Sequence, residues 1–329
     1  MEKIDILSLT PEVLGQHLAE MGEPKFRAKQ LFSWLHQKQV TEFDQMTTLS
    51  LQLRQKLNEK FCINRLNIAR RLASSTDDTV KYLYELPDGN FVETVLMDYH
   101  HGKSLCISTQ VGCRIDSIVL MGIGEPLDNF ENVVQFFRIL SHPDGMQMSL
   151  RHVALSTCGL VPRIRQLADL RLGVTLSVSL HSPENRHRSE IMPINRRYPV
   201  EELLDACRYY FDTTGRRVTI EYAVINGVNN TRADALQLAR RLRGMQCHVN
   251  LIPVNPIRER SFRSFRKDVE RFQRELTGLG INATIRRTLG SDIQAACGQL
   301  RRDADQQKQT AAQTVKNESG NTLFGGGKN

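Results

Sequence analysis

The sequence has no long apolar run and no paired-cysteine motif. It contains no stretch of eighteen or more apolar residues, which excludes a membrane-spanning helix. Its first residues, MEKIDILSLTPEV, lack the basic, apolar and small-residue succession of a secretory signal, so we expect a cytoplasmic chain. The seven cysteines are odd in number and never in C-x-x-C spacing, which excludes a disulfide framework and a zinc ribbon.

Acidic residues are fewer than basic ones, and the formal net charge is +8. This charge favours a polyanionic partner, although a basic soluble surface explains it equally well. Arginines cluster at Arg186, Arg188, Arg196 and Arg197, and again in RERSFRSFRKDVERFQRE at 258–275. We expect both clusters to bind phosphates, whereas the near-helical spacing of the phenylalanines in the second cluster favours a place in the core.

Three segments differ in their pattern. Residues 1–78 are mostly helical in pattern and predict a small RNA-binding domain, whose first helix begins with Thr10 as cap and Pro11. Residues 79–300 begin with a hairpin pattern around PDGN at 87–90 and continue as alternating strands and helices. Residues 301–329 lose apolar periodicity and predict a disordered tail.

The strand and helix alternation predicts an α/β fold with a parallel sheet or barrel. Strand-like runs cover 104–111, 117–121, 152–157, 174–180, 218–225, 247–253 and 281–287. Helical patterns cover 129–140, 161–170, 200–211, 231–242 and 265–279. Asp128 and Asn230 are the expected caps of the first and fourth of these helices.

The first two strands of this series are joined by only five residues, GCRID at 112–116. A parallel pair needs a crossover of about a dozen residues or more. The two strands are therefore antiparallel, unlike the later pairs, or a strand-helix segment is missing between them. We favour the missing segment.

Small polar residues at successive strand ends predict a ligand site at the mouth of a barrel. MGIGEPLDN offers glycines for close backbone approach and Glu125 as an acceptor for an ammonium group. Other strand ends carry polar side chains at Ser156, Ser179, His181 and Asn255. Any one of these residues could instead be a helix cap or a satisfied buried polar group.

Nine segments carry a specific resemblance, in order, from about residue 10 to 300. They are RAKQLFSWLHQK, MTTLS, FVETVLM, LCISTQVGC, MGIGEPLDN, SLHSP, RSEIMPINRRYP, LIPVNP and DIQAACGQLR. Together they resemble the radical S-adenosylmethionine (SAM) RNA methyltransferases of the RlmN/Cfr family. The resemblance implies a partial (β/α) barrel of the radical SAM type, here lacking its first helix, after a small N-terminal helical domain. It also implies methylation of carbon 2 of adenine in 23S rRNA and tRNA through a methyl-cysteine radical.

The resemblance assigns roles to individual residues. Cys297 resembles the cysteine that carries the methyl group, Cys106 the cysteine that resolves the protein–RNA adduct through a disulfide, and Glu93 the proton acceptor. The positions that match SAM-binding residues are Gly124, Glu125, Ser156, Ser179, Leu180, His181 and Asn255. The family also implies a [4Fe-4S] cluster, an electron donor such as flavodoxin, no membrane association and a monomer.

The chain departs from the family at the cluster motif, C-x-x-x-C-x-x-C. Cys113 matches the first cysteine, Ser117 stands at the second, and the third has no counterpart nearby. The topological gap and the missing thiolates therefore coincide, and we predict that the chain as written is inactive. The alternatives are a non-catalytic RNA-binding relative and an α/β enzyme that uses Glu125 or His181 in acid–base work.

Overall fold

A computed structural model describes residues 3–86, 89–99, 102–107, 116–122, 124–254 and 264–287. Within these ranges the chain forms two compact units. The first unit contains residues up to 65 and residues 125–286. The second contains residues 66–124 together with residue 287.

The first unit begins with helices that pack on a shared apolar core. Its elements are β1 (Ile4–Asp5), α1 (Pro11–Glu20), α2 (Phe26–His36), α3 (Leu51–Lys60) and β2 (Phe61–Cys62), with β1 and β2 parallel. Thr10 is the extended residue before α1 and Pro11 occupies its first turn, as the sequence predicts. Leu14, Leu31 and Leu57 are fully buried where these helices meet.

The second unit is formed by strands: β3 (Asn67–Ala73), β4 (Val80–Glu85), β5 (Phe91–Tyr99), β6 (Gly102–Ile107) and β7 (Ser117–Leu120). The predicted hairpin is confirmed, because β4 and β5 are antiparallel and Glu85 pairs with Phe91. Strands β6 and β7 are parallel, with Ser104 opposite Ser117, so the antiparallel alternative for this pair is wrong. Residues 108–115, which join them, lie outside the described ranges.

The rest of the first unit alternates strands and helices, which confirms the α/β prediction. The elements are α4 (Phe130–Ser141), β8 (Val153–Thr157), α5 (Val161–Asp169), β9 (Thr175–Ser179), α6 (Asn185–Ile191), α7 (Val200–Thr214), β10 (Val218–Val224), α8 (Arg232–Leu242), β11 (Cys247–Pro253), α9 (Arg266–Gly278) and β12 (Ala283–Ile285). The strands are parallel in the order β12-β11-β10-β9-β8. Tyr222 of β10 stacks on Phe272 of α9, so one sheet face packs against helices.

Several local predictions are wrong. Residues 67–73 form β3, a mostly exposed strand whose sequence NIARRLA lacks the apolar alternation that would have revealed it. The cap of α8 is Thr231, which exchanges hydrogen bonds with Asp234, while the Asn230 side chain accepts from Gly227 in the preceding turn. Residue Asn129, and not Asp128, occupies the cap position of α4.

Candidate active site

Polar side chains line the sheet face opposite the helices in the first unit. Strand pairing places Ser156 beside Ser177, and Ser179 beside Glu221, which in turn pairs with Asn250. Residues paired in this way in parallel strands point to the same face. The intervening residues Leu176, Val178, Ile220, Tyr222, Val249 and Leu251 are fully buried. The sequence-predicted Ser156 and Ser179 therefore belong to one polar surface.

Glu221 is a member of this surface that the sequence prediction missed. Its side chain is only 3% exposed, and the Asn250 amide donates to its Oε2 at 2.8 Å. Burial raises the pKa of Glu221, while Arg286 and Asn250 oppose the shift. An acidic residue within the apolar strand VTIEYAV is an unusual feature that could have revealed it.

Glu125 connects two segments at the strand ends. Its Oε1 accepts from the Leu127 backbone N–H at 3.0 Å, and its Oε2 accepts from the Cys158 N–H at 2.7 Å. Gly124 has a φ of 103°, and no atom of the described residues lies within 4 Å of where a Cβ would be. Glycine adopts this left-handed conformation without the strain that a side chain would cause.

Cys158 follows β8. Burial, together with a smaller effect of the hydrogen bond with Glu125, raises the pKa of its thiol to about 12. Iron binds the thiolate form of cysteine, so Cys158 would have to release its proton to serve as a ligand.

His181 follows Ser179 and Leu180 with a left-handed φ of 55°. Its Nδ1 accepts from the Ala223 N–H at 3.0 Å, and its carbonyl accepts from the Asn229 amide at 2.7 Å. Desolvation, together with the smaller effect of the Arg188 charge, lowers the pKa of His181 to about 4. Its Nδ1 is already occupied, which argues against His181 as a general base through that atom.

Arg188, which the sequence analysis assigned to a phosphate-binding cluster, is completely buried, so that assignment is wrong. Its guanidinium donates to the carbonyls of Leu180, Cys158 and Ser179 and to the Asn195 side chain at 2.9–3.1 Å. Burial lowers its pKa to about 10, which leaves it cationic at neutral pH. Arg188 thus fastens the ends of β8 and β9 together.

In the second unit, Glu93 and Cys106 lie on one sheet face. Cys106 pairs with Val95 of β5, two residues after Glu93, and both candidate residues are buried. Lys81 pairs with Val95 from the other side, and its Nζ is 3.4 Å from the Glu93 Oε2. The sequence prediction did not identify Lys81.

Three predicted site residues, Cys113, Asn255 and Cys297, lie outside the described ranges. Within those ranges, no group of three His, Cys, Asp or Glu side chains is arranged to hold a metal ion. The described part of the chain also contains no helix of the length and hydropathy needed to cross a membrane.

Family models match two parts of the chain. Residues 4–63 match the ribosomal RNA large subunit methyltransferase N-terminal domain, and residues 110–239 match the radical SAM superfamily. A crystal structure of a radical SAM methyltransferase from Sphaerobacter thermophilus is 39% identical, with a TM-score of 0.84 over 90% of this chain and 98% of that chain.

Curated relatives are similar over nearly the whole chain. A probable dual-specificity RNA methyltransferase RlmN from Clostridium novyi (strain NT) is 44% identical, covering 91% of this chain and 98% of the relative. The relative of the same description from Lachnoclostridium phytofermentans is 46% identical, covering 92% of this chain and 95% of the relative. The first alignment spans 336 positions, more than the 329 residues of this chain, so this chain carries a gap relative to that protein.

Proposed function

Because the chain belongs to the RlmN family of radical SAM RNA methyltransferases, we propose that it derives from an enzyme that methylates carbon 2 of adenine in 23S rRNA and tRNA, and that it is inactive as written. The proposal that the chain is inactive rests on one observation: of the three cysteines in the cluster motif, the sequence retains Cys113 alone. Anaerobic reconstitution, followed by an assay for SAM cleavage, tests it.

The polar sheet face fits SAM. Serine hydroxyls and the Asn250 amide offer donors and acceptors for a nucleoside and an amino acid group. The residues proposed to hold it are Gly124, Glu125, Ser156, Ser179, Leu180, His181 and Asn255. When bound, SAM supplies the methyl group and, in the family, the radical that starts the reaction.

The residues of this chain do not fit a [4Fe-4S] cluster. Such a cluster in this family needs three cysteine thiolates, and Ser117 is a poor ligand for iron in place of a thiolate. The described residues contain no group of three His, Cys, Asp or Glu side chains arranged to replace the missing ligands. No reaction step is therefore assigned to a cluster in this chain.

The remaining catalytic residues are proposed from the family. In an active form of the enzyme, Glu93 would accept the proton released from carbon 2, and Cys297 would carry the methyl-derived carbon to the base. The Cys106 thiolate would then attack the Cys297 sulfur and break its bond to that carbon. The carbon would take up a proton, and the methylated RNA would leave as the two cysteines form a disulfide. The shared sheet face of Glu93 and Cys106 supports this assignment, because both groups must act near the same base.

A disulfide between Cys106 and Cys297 is expected after mild oxidation. The two α-carbons must then approach within about 7 Å. Peptide mapping of the oxidised chain should recover this link. Recovery of Cys106 or Cys297 bound to Cys158 or Cys247 instead would contradict the assignment.

RNA binding is proposed to involve residues 1–78 and the exposed arginines. Helix α2 exposes 65% of Phe26 beside Arg27, a surface suited to stacking on an unpaired base. Arg196 and Arg197 are exposed, whereas Arg266 is paired with Glu270 at 2.8 Å. The first two arginines are therefore better placed to contact phosphates.

RNA affinity should fall steeply with salt. Removal of Arg196 and Arg197 (both to Gln) should weaken binding and reduce the slope of log affinity against log salt by about 0.7–0.9 for each lost phosphate contact. Fluorescence anisotropy of a labelled rRNA fragment measures this, with Arg232→Gln, an exposed arginine of α8 outside both clusters, as the control that should change little. Salt-independent affinity, or no binding at low salt, would contradict the RNA assignment.

A further inference from the structure

Lys81 is fully buried on an apolar part of the second unit's sheet. Strand pairing places it between Leu72 of β3 and Val95 of β5, and Leu83 follows on the same face. A buried ammonium group is strongly destabilising unless a charge of opposite sign accompanies it. The charged group nearest to consider is therefore the one with which Lys81 forms an ion pair.

That group is the carboxylate of Glu93. The Lys81 Nζ and the Glu93 Oε2 are 3.4 Å apart, with the two side chains 0% and 4% exposed. Glu93 is diagonal to Lys81, because Lys81 pairs with Val95 and Glu93 precedes Val95 by two residues. Long side chains in adjacent strands reach each other at this spacing. Cys106 pairs with Val95 on the opposite side from Lys81, so all three side chains share one face.

We propose that Lys81 is a positioning residue, whose ammonium group holds Glu93 as a carboxylate on the sheet face that carries Cys106. The proposal rests on the assignment of Glu93 as proton acceptor under the proposed function. A proton acceptor must be ionised before it acts, and burial alone favours the neutral carboxylic acid. A positive charge 3.4 Å from the Glu93 Oε2 favours the carboxylate instead.

The first test is the pH dependence of unfolding for Lys81→Met. In this variant the folded state favours a neutral Glu93, whereas the unfolded state ionises it at the ordinary glutamate value of about 4.3. The folded state then binds more protons than the unfolded state, so stability falls as the pH rises above this value. At neutral pH we expect the unfolding equilibrium constant to rise by about a hundredfold or more over the unsubstituted chain.

The double variant Lys81→Met/Glu93→Gln distinguishes the effect of the Lys81–Glu93 charge interaction from the effect of changed side-chain packing. It removes both charges, so most of the stability at neutral pH should return and the pH dependence specific to Lys81→Met should disappear. If Lys81→Met alone fails to fold, folding of the double variant supports the proposal. Failure of both to fold, or an equal loss at every pH, would overturn it.

The exposed ion pair between Lys103 and Asp98 provides a matched control in the same unit. Its nitrogen–oxygen distance is 3.0 Å, and its side chains are 47% and 37% exposed. Lys103→Met should change the unfolding equilibrium less than about fivefold, because solvent screens the pair. If Lys103→Met changes the unfolding equilibrium constant as much as Lys81→Met does, the proposal for the buried pair is overturned.

A spectroscopic readout tests the ionisation of Glu93 directly. In protein labelled with ¹³C at glutamate carboxyl carbons, the Glu93 signal is identified by its loss in Glu93→Gln. We expect a carboxylate signal at neutral pH and an upfield shift towards the carboxylic acid in Lys81→Met. An unchanged signal would overturn the proposal. Neither test requires RNA, SAM or a cluster, so failure here leaves the proposed methyltransferase ancestry intact.

Discussion

Anaerobic reconstitution of this chain with iron and sulfide is expected to give no stoichiometric [4Fe-4S] cluster and no 5′-deoxyadenosine from SAM under reducing conditions. One thiolate, Cys113, leaves most of the cluster coordination unmet. Ser117 stands where a second ligand is expected, and its hydroxyl is not a soft-metal ligand. Iron and sulfide analysis, absorbance and product chromatography measure the result.

The controls separate a missing segment from general misfolding. A variant with a cysteine-bearing strand-helix segment inserted after Cys113 should recover both the cluster and SAM cleavage. Cys158→Ser should change neither result in the uninserted chain, because Cys113 and Cys158 together still fall short of the three cysteine ligands that the cluster needs. A stoichiometric cluster with SAM cleavage in the unmodified chain would contradict the inactivity proposal. Loss of that cluster on Cys158→Ser would identify Cys158 as a recruited ligand.

The parallel pairing of β6 and β7 agrees with a missing crossover segment between these strands. The missing cluster cysteines fall at the same place in the sequence. Ser104 lies opposite Ser117, so the sheet keeps the parallel arrangement that the later strands have. Parallel pairs are usually joined by a helix-length crossover. The alignment with the Clostridium novyi relative has 336 positions, more than the 329 residues of this chain, so some residues of that relative have no counterpart here. We infer that the lost segment included the other cluster cysteines.

Sequence periodicity predicted the elements whose burial is regular. The helices α4, α5, α7, α8 and α9 each place apolar residues on one face, and their predicted positions agree with the structure within a few residues. Strand β3 was missed because its residues are exposed on both faces. Phe272 is in the core as predicted, but Phe265 is 53% exposed, since it lies just before α9 rather than on its buried face.

The site residues that sequence reasoning missed are defined by contacts between distant parts of the chain. Arg188 was grouped with surface arginines because its neighbours in sequence are charged, yet its acceptors are carbonyls at the ends of β8 and β9. Lys81 contacts Glu93 only because the hairpin aligns their strands. Of these three residues, Glu221 alone has an unusual sequence context, because it is an acidic residue within an apolar strand. Burial of a charge depends on its partner, which periodicity does not specify.

Substitution of Arg188 by methionine is expected to lower the free energy of unfolding by about 3–5 kcal/mol. Arg188 donates to the carbonyls of Cys158, Ser179 and Leu180, and methionine supplies no donor in its place. The Leu180 carbonyl still accepts from the Ser182 N–H, so the loss falls mainly on the Cys158 and Ser179 carbonyls. Each buried acceptor left unsatisfied costs about 1–3 kcal/mol. Urea denaturation followed by circular dichroism measures the loss.

Arg186→Met is the matched control on the same helix. The Arg186 side chain is 81% exposed, and its contact with Glu190 is 3.9 Å long, so its removal should change stability by less than about 0.5 kcal/mol. Arg188→Lys should fall between the two, because an ammonium group cannot reproduce the planar arrangement of guanidinium donors. A loss in Arg188→Met no larger than in Arg186→Met would show that the ends of β8 and β9 hold their positions without the arginine. In that case Ser179 and Leu180 would owe their placement to strand pairing alone.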